Sequence, residues 1–520
     1  TLDESVFTQN SERVAAQNKL PIRVIVGNPP YSVGQKNEND NNANQSYFSL
    51  DGRIRDTYVA KSSAKLAKGA YDSYIRAFRW ASDRMGDRGI VCFVTNAGWI
   101  DASATDGFRK CLAEDFSSVW VFHLRGNART SGEERRRERD NVFGQGTRTP
   151  IAITMLVKNP DSPDHGRIFF HDIGDYLSRE QKLAIVRKAA HEGVCSWQEI
   201  TPDRHGDWLN QRDDSWYEFA PTAIDKCVEK RATAFGIFKL FSYGVVTNRD
   251  AWTYSFSLPD LRSNMTSMLE VFNYEQRRMK ELGATKKQES LLDNDGTKIK
   301  WTRRLKDYCF SDRIIEVEPC WAISMYRPFC KQWLYFNSEL NEMTYQQTRL
   351  FPFTLSERKN KGRVSKHVSS TLLGEGEMTY QQTMIDQLPN KGIYVTGVGA
   401  ASSFSALMTD CVPNLHLQDT GQCFPLYWYE EQEPLGGLFG DGDGRGYTRH
   451  DAITDEALHV FRNTYPDAFG ARHGKPARAK KHGGSELTKE DIFYYIYGIL
   501  HSPEYRTRFE ANLKKELPRR

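Results

Sequence analysis

The sequence has few of the features that assign a chain quickly. None of its nine cysteines forms a Cys-x-x-Cys pair, and none has histidines at zinc-finger spacing. This excludes a disulfide framework or a zinc ribbon and predicts a reducing, cytoplasmic setting. No apolar run approaches the ~20 residues that span a bilayer, so no membrane partner is expected. The first residues, TLDESVFTQNSERVAAQNK, are polar and mixed in charge, unlike a signal peptide. They also lack an initiator methionine, so a cut or processed end is expected. Excess charge is scarce as well. A net charge of +4 over 520 residues excludes a strongly basic nucleic-acid coat, and any nucleic-acid site must be a local patch.

Aromatic residues are plentiful, at 12% of the chain. They serve large cores or stacking surfaces equally well. Over the first ~190 residues strand and helix signals alternate, as in an α/β layer fold. Strands are predicted at Arg23–Val26, in IVCFVTNAGWID from Ile90, in SSVWVFHLRGN, in PIAITMLVKNP and in RIFFHDI. Tyr71, Tyr74, Ile75, Phe78, Ala81 and Met85 recur at helical spacing. The polar stretch from Gln35 to Arg53 reads as a long loop. The continuous apolar run at Ile90 suits a strand covered on both faces, as in a parallel sheet. The expected fold is a doubly wound, Rossmann-like sheet over residues 1–195, with ligands at the carboxyl ends of its strands. A mixed α+β domain with C-terminal helices is expected over 196–520.

The most specific motif is Asn28-Pro29-Pro30-Tyr31, which follows the first strand. Two prolines end a strand abruptly, because proline has no N–H and a fixed φ. They hold an amide and an aromatic ring on a stiff loop. Such a pair suits one chemistry well. The exocyclic amine of adenine is a poor nucleophile because its lone pair is delocalised into the ring. The Asn28 side-chain carbonyl and the Pro29 backbone carbonyl can bind its two N–H groups and favour a tetrahedral nitrogen. Tyr31 offers a stacking face to a base flipped out of duplex DNA. A plain strand-to-turn connection is the simpler alternative.

NPPY in this setting resembles the catalytic motif of N6-adenine DNA methyltransferases. The segments YDSYIRAFRWASDRMGDRGIVCFVTNAGWID, FHLRGNARTSGE, GTRTPIAITMLVKNP, YGVVTNRDAWTY and MYRPFCKQWLYFN resemble the methyltransferase and specificity parts of type ISP restriction–modification enzymes. The resemblance implies one polypeptide carrying a nuclease, an ATP-driven translocase, an adenine methyltransferase and a target-recognition domain. It implies double-stranded DNA as partner, S-adenosylmethionine as cofactor, and Asn28, Pro29, Pro30 and Tyr31 as catalytic residues. The family's glycine-rich cofactor motif precedes NPPY, and only 27 residues stand before Asn28 here. No Walker A motif or nuclease cluster is found. The chain therefore reads as a fragment whose nuclease, helicase and cofactor-binding parts lie upstream. The glycine run at Gly397 lacks a following helix with a ribose-binding acid.

Other candidates carry less information. Asn96 and Trp99 fall near the target-base pocket by resemblance, although a tight turn accounts for them equally. Arg125 and Arg129 belong to an arginine-rich stretch, 125–139, which reads as a solvated loop or a DNA-backbone contact. Asn248 and Arg249 form a polar turn, with contact to DNA or structure as the alternatives. Two repeats of EMTYQQT, from Glu342 and from Glu377, read as a local duplication. The leading expectation is site-specific adenine-N6 methylation of DNA. A DNA-recognition module inert on its own is the rival, and methylation of RNA or protein amides is a remote third.

Overall fold

A computed structural model describes residues 8–31, 47–64, 68–144, 146–193, 195–223, 235–311, 315, 320–356, 384–400, 402–432, 446–465 and 487–520. Contacts divide the chain into two units, Thr1–Arg212 and Asp213–Arg520. The boundary lies later than position 195. Ile200 and Trp208 belong to the core of the first unit, and buried Asp207 pairs with buried Arg109 at 3.2 Å.

The first unit is built on six strands: β1 (Val24–Gly27), β2 (Gly89–Asn96), β3 (Ser118–Arg125), β4 (Ile151–Lys158), β5 (Arg167–Asp172) and β6 (Gln198–Ile200). Their spatial order is β1-β2-β4-β3-β5-β6. Its helices are α1 (Thr8–Lys19), α2 (Phe48–Ile54), α3 (Ser73–Arg84), α4 (Asp106–Asp115), α5 (Gly132–Glu138) and α6 (Arg179–Glu192). All five expected strands are present, but the sheet is mixed. β1 pairs with β2 and β3 with β5 in parallel, whereas β4 runs antiparallel to both its neighbours. The reason lies in the connection from β3 to β4. Its only helix, α5, buries no residue and so cannot pack on the sheet as a crossover. The chain returns from the edge it left.

Two further expectations change. The run at Ile90 is not covered equally on both faces, since Val91 and Phe93 are buried while Ile90 is exposed. The end of the predicted loop, at Phe48–Ile54, is helical; residues 35–46 lie outside the described residues, as does the second EMTYQQT copy. The core centres on an aromatic cluster in which Trp99 and Phe108 meet at 5.2 Å and Phe78 and Phe93 at 5.1 Å. Gly107 allows α4 to press against the turn at Tyr58, whose carbonyl leaves no room for a Cβ.

The second unit is α+β. It holds β7 (Ser242–Tyr243), α7 (Asp250–Thr253), β8 (Tyr254–Ser255), the long α8 (Leu258–Glu281), α9 (Arg303–Cys309), β9 (Trp321–Arg327) and β10 (Cys330–Tyr335). Next come α10 (Gln347–Leu350), β11 (Phe353–Ser356), β12 (Met384–Gln387), β13 (Gly392–Val395), β14 (Ala406–Thr409), β15 (Val412–Pro413) and β16 (Gln422–Pro425). The last elements are β17 (Tyr427–Glu431), β18 (Tyr447–Asp451), α11 (Asp455–Thr464), α12 (Lys489–Ile499), α13 (Pro503–Arg508) and α14 (Glu510–Lys515). Two four-stranded sheets, β15-β9-β10-β8 and β14-β13-β16-β7, share one core, in which Ala322, Met325, Leu334 and Val412 of the first cluster with Tyr394 and Cys423 of the second. Leu261, Met265, Met268, Leu269 and Phe272 recur along α8 at 3.6-residue spacing and are buried. Thr488 and Asp491 form a capping box at the start of α12, and the C-terminal helices expected from the sequence are three, α12, α13 and α14. β18 follows a glycine-rich tract of which residues 433–445 lie outside the described residues.

Candidate functional site at the carboxyl edge of the sheet

Strands β1, β2, β3 and β5 run in one direction, so their carboxyl ends share one edge of the sheet. That edge collects Asn28–Tyr31, Asn96, Arg125 and Asp172. The register fixes the spacing. Ile151 pairs with Asn96 on one side and Arg125 on the other, which places those two residues level, two strands apart. Gly27 pairs with Phe93, so Asn28 leaves the sheet just before β2 ends.

Within the motif, Asn28 and Pro30 are exposed, and Pro29 and Tyr31 half-buried. Among the described residues the Asn28 amide has no side-chain hydrogen bond, so its carbonyl is available to a ligand. Tyr31 is anchored. Its ring meets Tyr74 of α3 edge to face at 6.0 Å and 87°, and packs on both cores of the unit. The phenol oxygen is buried without a partner. Burial, with Asp72 adding, pushes the Tyr31 pKa up to about 12, so the ring stays neutral at physiological pH. β1 itself is an edge strand with Val24 62% and Val26 73% exposed.

The remaining candidates separate. The Asn96 side chain accepts from the backbone N–H of Gly98 at 2.8 Å, capping the turn Ala97–Ile100. Trp99 corrects an expectation: it is 1% exposed and its ring lies among Phe78, Phe108 and Trp208, so it is a core residue. The backbone around it is pinned by buried Arg109, which donates to the carbonyls of Trp99 and Ala102 at 2.9 and 2.8 Å. Arg125 adopts φ 55 and pairs with Asp172 at 2.7 Å and Asp175 at 2.6 Å. It ties β3 to β5 and presents no free cation. Burial would raise the Asp172 pKa, but hydrogen bonds from His123 and Arg125 outweigh it and lower it. The segment read as a solvated loop forms α5, with Arg129 exposed just before it.

Asn248 is exposed with φ 54, whereas Arg249 is 3% exposed and donates to Thr302 Oγ1 at 2.6 Å. The Arg249 guanidinium is thus withdrawn from the surface, and its Nε and Nη1 are buried without partners. Burial, opposed by Glu342, brings its pKa down to about 10.

Sequence reasoning missed Lys182 of α6. It is fully buried and donates to the carbonyls of Glu138 and Asp140, at 3.0 and 2.7 Å, holding the C-terminal end of α5. A lysine in a weakly amphipathic helix gave no signal. Tyr74 was read only as a helix-core position, and its pairing with Tyr31 is tertiary.

A cradle for S-adenosylmethionine is not found among the described residues. The Gly397 run belongs to the second unit, where a Cβ on Gly397 would collide with the Thr420 carbonyl and Gly399 N–H donates to Lys514. No cluster of three or more metal-ligating side chains occurs, and no helix is long and apolar enough to cross a membrane, among the described residues.

Comparison with known families is decisive. The model of the type ISP C-terminal specificity domain matches residues 236–371 and 376–519, and that of the Eco57I restriction–modification methylase matches 3–129. The chain belongs to the type ISP restriction–modification family. No curated protein matches it by sequence. A nuclease-deletion mutant of the type ISP enzyme LlaGI, in complex with a DNA substrate mimic, is 33% identical, with a TM-score of 0.75 over 100% of this chain and 42% of that one. The DrdV–DNA complex is 34% identical, TM-score 0.75, over 99% and 44%. The ATP-dependent type ISP enzyme LlaBIII bound to DNA is 29% identical, TM-score 0.74, over 100% and 29%. The chain thus spans less than half the length of these relatives. Its methylase match falls on the first unit and its specificity match on the second.

Proposed function

We propose that this chain carries the substrate side of an adenine-N6 DNA methyltransferase, joined to the unit that recognises the DNA site. The six-stranded sheet is then part of a Rossmann-like methyltransferase fold. The observation that carries the reading is the state of NPPY: Asn28 exposed and uncommitted, Tyr31 fixed beside it, both at the carboxyl end of a strand. Asn28 Oδ1 and the Pro29 carbonyl would accept the two N–H groups of a flipped adenine. This draws the nitrogen toward a tetrahedral geometry and localises its lone pair. Tyr31 would stack on the base and offset part of the unstacking cost. None of these roles asks a side chain to gain or lose a proton.

S-adenosylmethionine would supply the methyl group, held by other parts of the polypeptide. The open edge of β1, with its exposed valines, is where further strands of such a sheet would pair. In the intact enzyme Asn28→Ala is expected to abolish methylation and leave DNA binding within a few-fold of the parent. Near-normal methylation would sink the catalytic assignment. A second reading, favoured by that same open edge, is that this chain alone recognises DNA without methylating it. Calorimetry of the chain with S-adenosylmethionine separates the two, because micromolar binding contradicts inertness.

A further inference from the structure

The tip of the β9–β10 hairpin is built from Arg327, Pro328, Phe329 and Cys330, with Arg327 and Cys330 paired across it. Proline at the first central position and a positive φ at the second give the type II pattern, which normally takes glycine or asparagine at the second. Here that residue is Phe329, at φ 61. A bulky side chain in the left-handed region costs conformational energy. The same residue is 89% exposed, so it recovers almost nothing by burial. A strained, exposed phenylalanine thus stands where glycine would relieve both costs, and strain of this kind marks sites that act on something outside the chain.

The surroundings narrow what that is. Arg327 lies over the Tyr326 ring at 4.0 Å, with Asp250 at 3.8 Å. Lys331 donates to Asp410 at 2.7 Å. The ring therefore projects from a charged rim, not from an apolar field. Protein-docking surfaces need contiguous apolar area, whereas one isolated ring with cations on both sides suits a slot between stacked bases beside a phosphate backbone. The short proline-containing turn, braced by a two-stranded ladder, holds the ring outward before any partner arrives.

We propose that Phe329 is a DNA-contacting wedge, which stacks on or between bases while Arg327 and Lys331 exchange their pairings with Asp250 and Asp410 for the flanking phosphates. The proposal rests on the reading of the second unit as the DNA-recognition part. It adds an aromatic contact far along the sequence from the NPPY motif.

The test is filter binding of the full chain to linearised plasmid DNA across a salt series. Phe329→Ala should weaken binding about tenfold and leave the slope of log K against log salt unchanged, because no phosphate contact is lost. Phe329→Trp should bind as the parent and show quenched emission on DNA. Phe329→Gly should melt higher than the parent, which excludes misfolding as the cause of weaker binding. Phe256→Ala is the control, since Phe256 is 74% exposed but has no positive φ; it should bind as the parent. The wedge is overturned if Phe329→Ala binds like the parent, if it changes the salt slope, or if Phe256→Ala costs as much. It is also overturned if Phe329→Ala lowers the melting temperature without touching DNA affinity, which would indicate a structural role for the ring. A parent chain that binds no DNA would instead defeat the recognition reading on which the wedge depends.

Discussion

The rings of Tyr31 and Tyr74 meet at 87°, edge to face, with 6.0 Å between centroids. Tyr31 is thereby held by α3 as well as by the two prolines before it. Its phenol oxygen has no partner, so in the proposed function the ring, and not the hydroxyl, would act on the base. Tyr31→Phe should keep methylation by the intact enzyme within about twofold, because deleting an unsatisfied buried hydroxyl costs little. Tyr31→Ala should lower it by about 10- to 100-fold, the range that stacking on one base provides. The variant should also lose about 1 kcal/mol of stability with the aromatic pair. Steady-state methylation and urea denaturation read the two effects separately.

Lys182 makes the pH dependence of the first unit testable. Burial lowers its pKa to about 8 despite the nearby Glu138. The folded pKa thus lies below the unfolded value of about 10.4. Between these values the unfolded state binds more protons, so the contribution of this group to stability rises with pH from about 8 to 10.4. Its size is on the order of 2–3 kcal/mol. Lys182→Met should remove that rise. Denaturant midpoints of parent and variant at pH 7.5 and at pH 10 should therefore differ by unequal amounts, with the variant flatter.

Arg129 and Arg249 were both candidates for DNA contact in the sequence, and their environments now part them. Arg129 is exposed and Arg249 buried. Arg129→Ala should reduce the slope of log K against log salt by about one, as expected for one lost phosphate contact. Arg249→Met, which keeps the volume of the stem, should leave the slope unchanged. A reduced slope for Arg249→Met would mean that the guanidinium reaches DNA in the bound state.

Much of this was legible in the chain itself. Strands read from apolar runs were found, and NPPY fell at a strand end, because proline and periodicity act locally. What was not legible was decided at long range. Nothing near Trp99 in sequence says that Phe78, Phe108 and Trp208 close around it. The direction of β4 depends on whether the preceding connection can pack a helix on the sheet, and α5 is too polar to do so. Arg125 looked like a free cation because its partners, Asp172 and Asp175, lie some fifty residues on. Arg249 shared a turn with exposed Asn248, and one step of backbone separates solvent from core.

The outer edge of β1 has a practical consequence. Among the described residues no strand pairs with that edge, and its backbone groups and the exposed valines at 24 and 26 form a short template on which another copy can add a strand. The isolated chain is therefore expected to become turbid as it is concentrated. Val26→Lys places a charge on that edge while leaving the β1–β2 register intact, and light scattering should show the variant staying monodisperse where the parent does not.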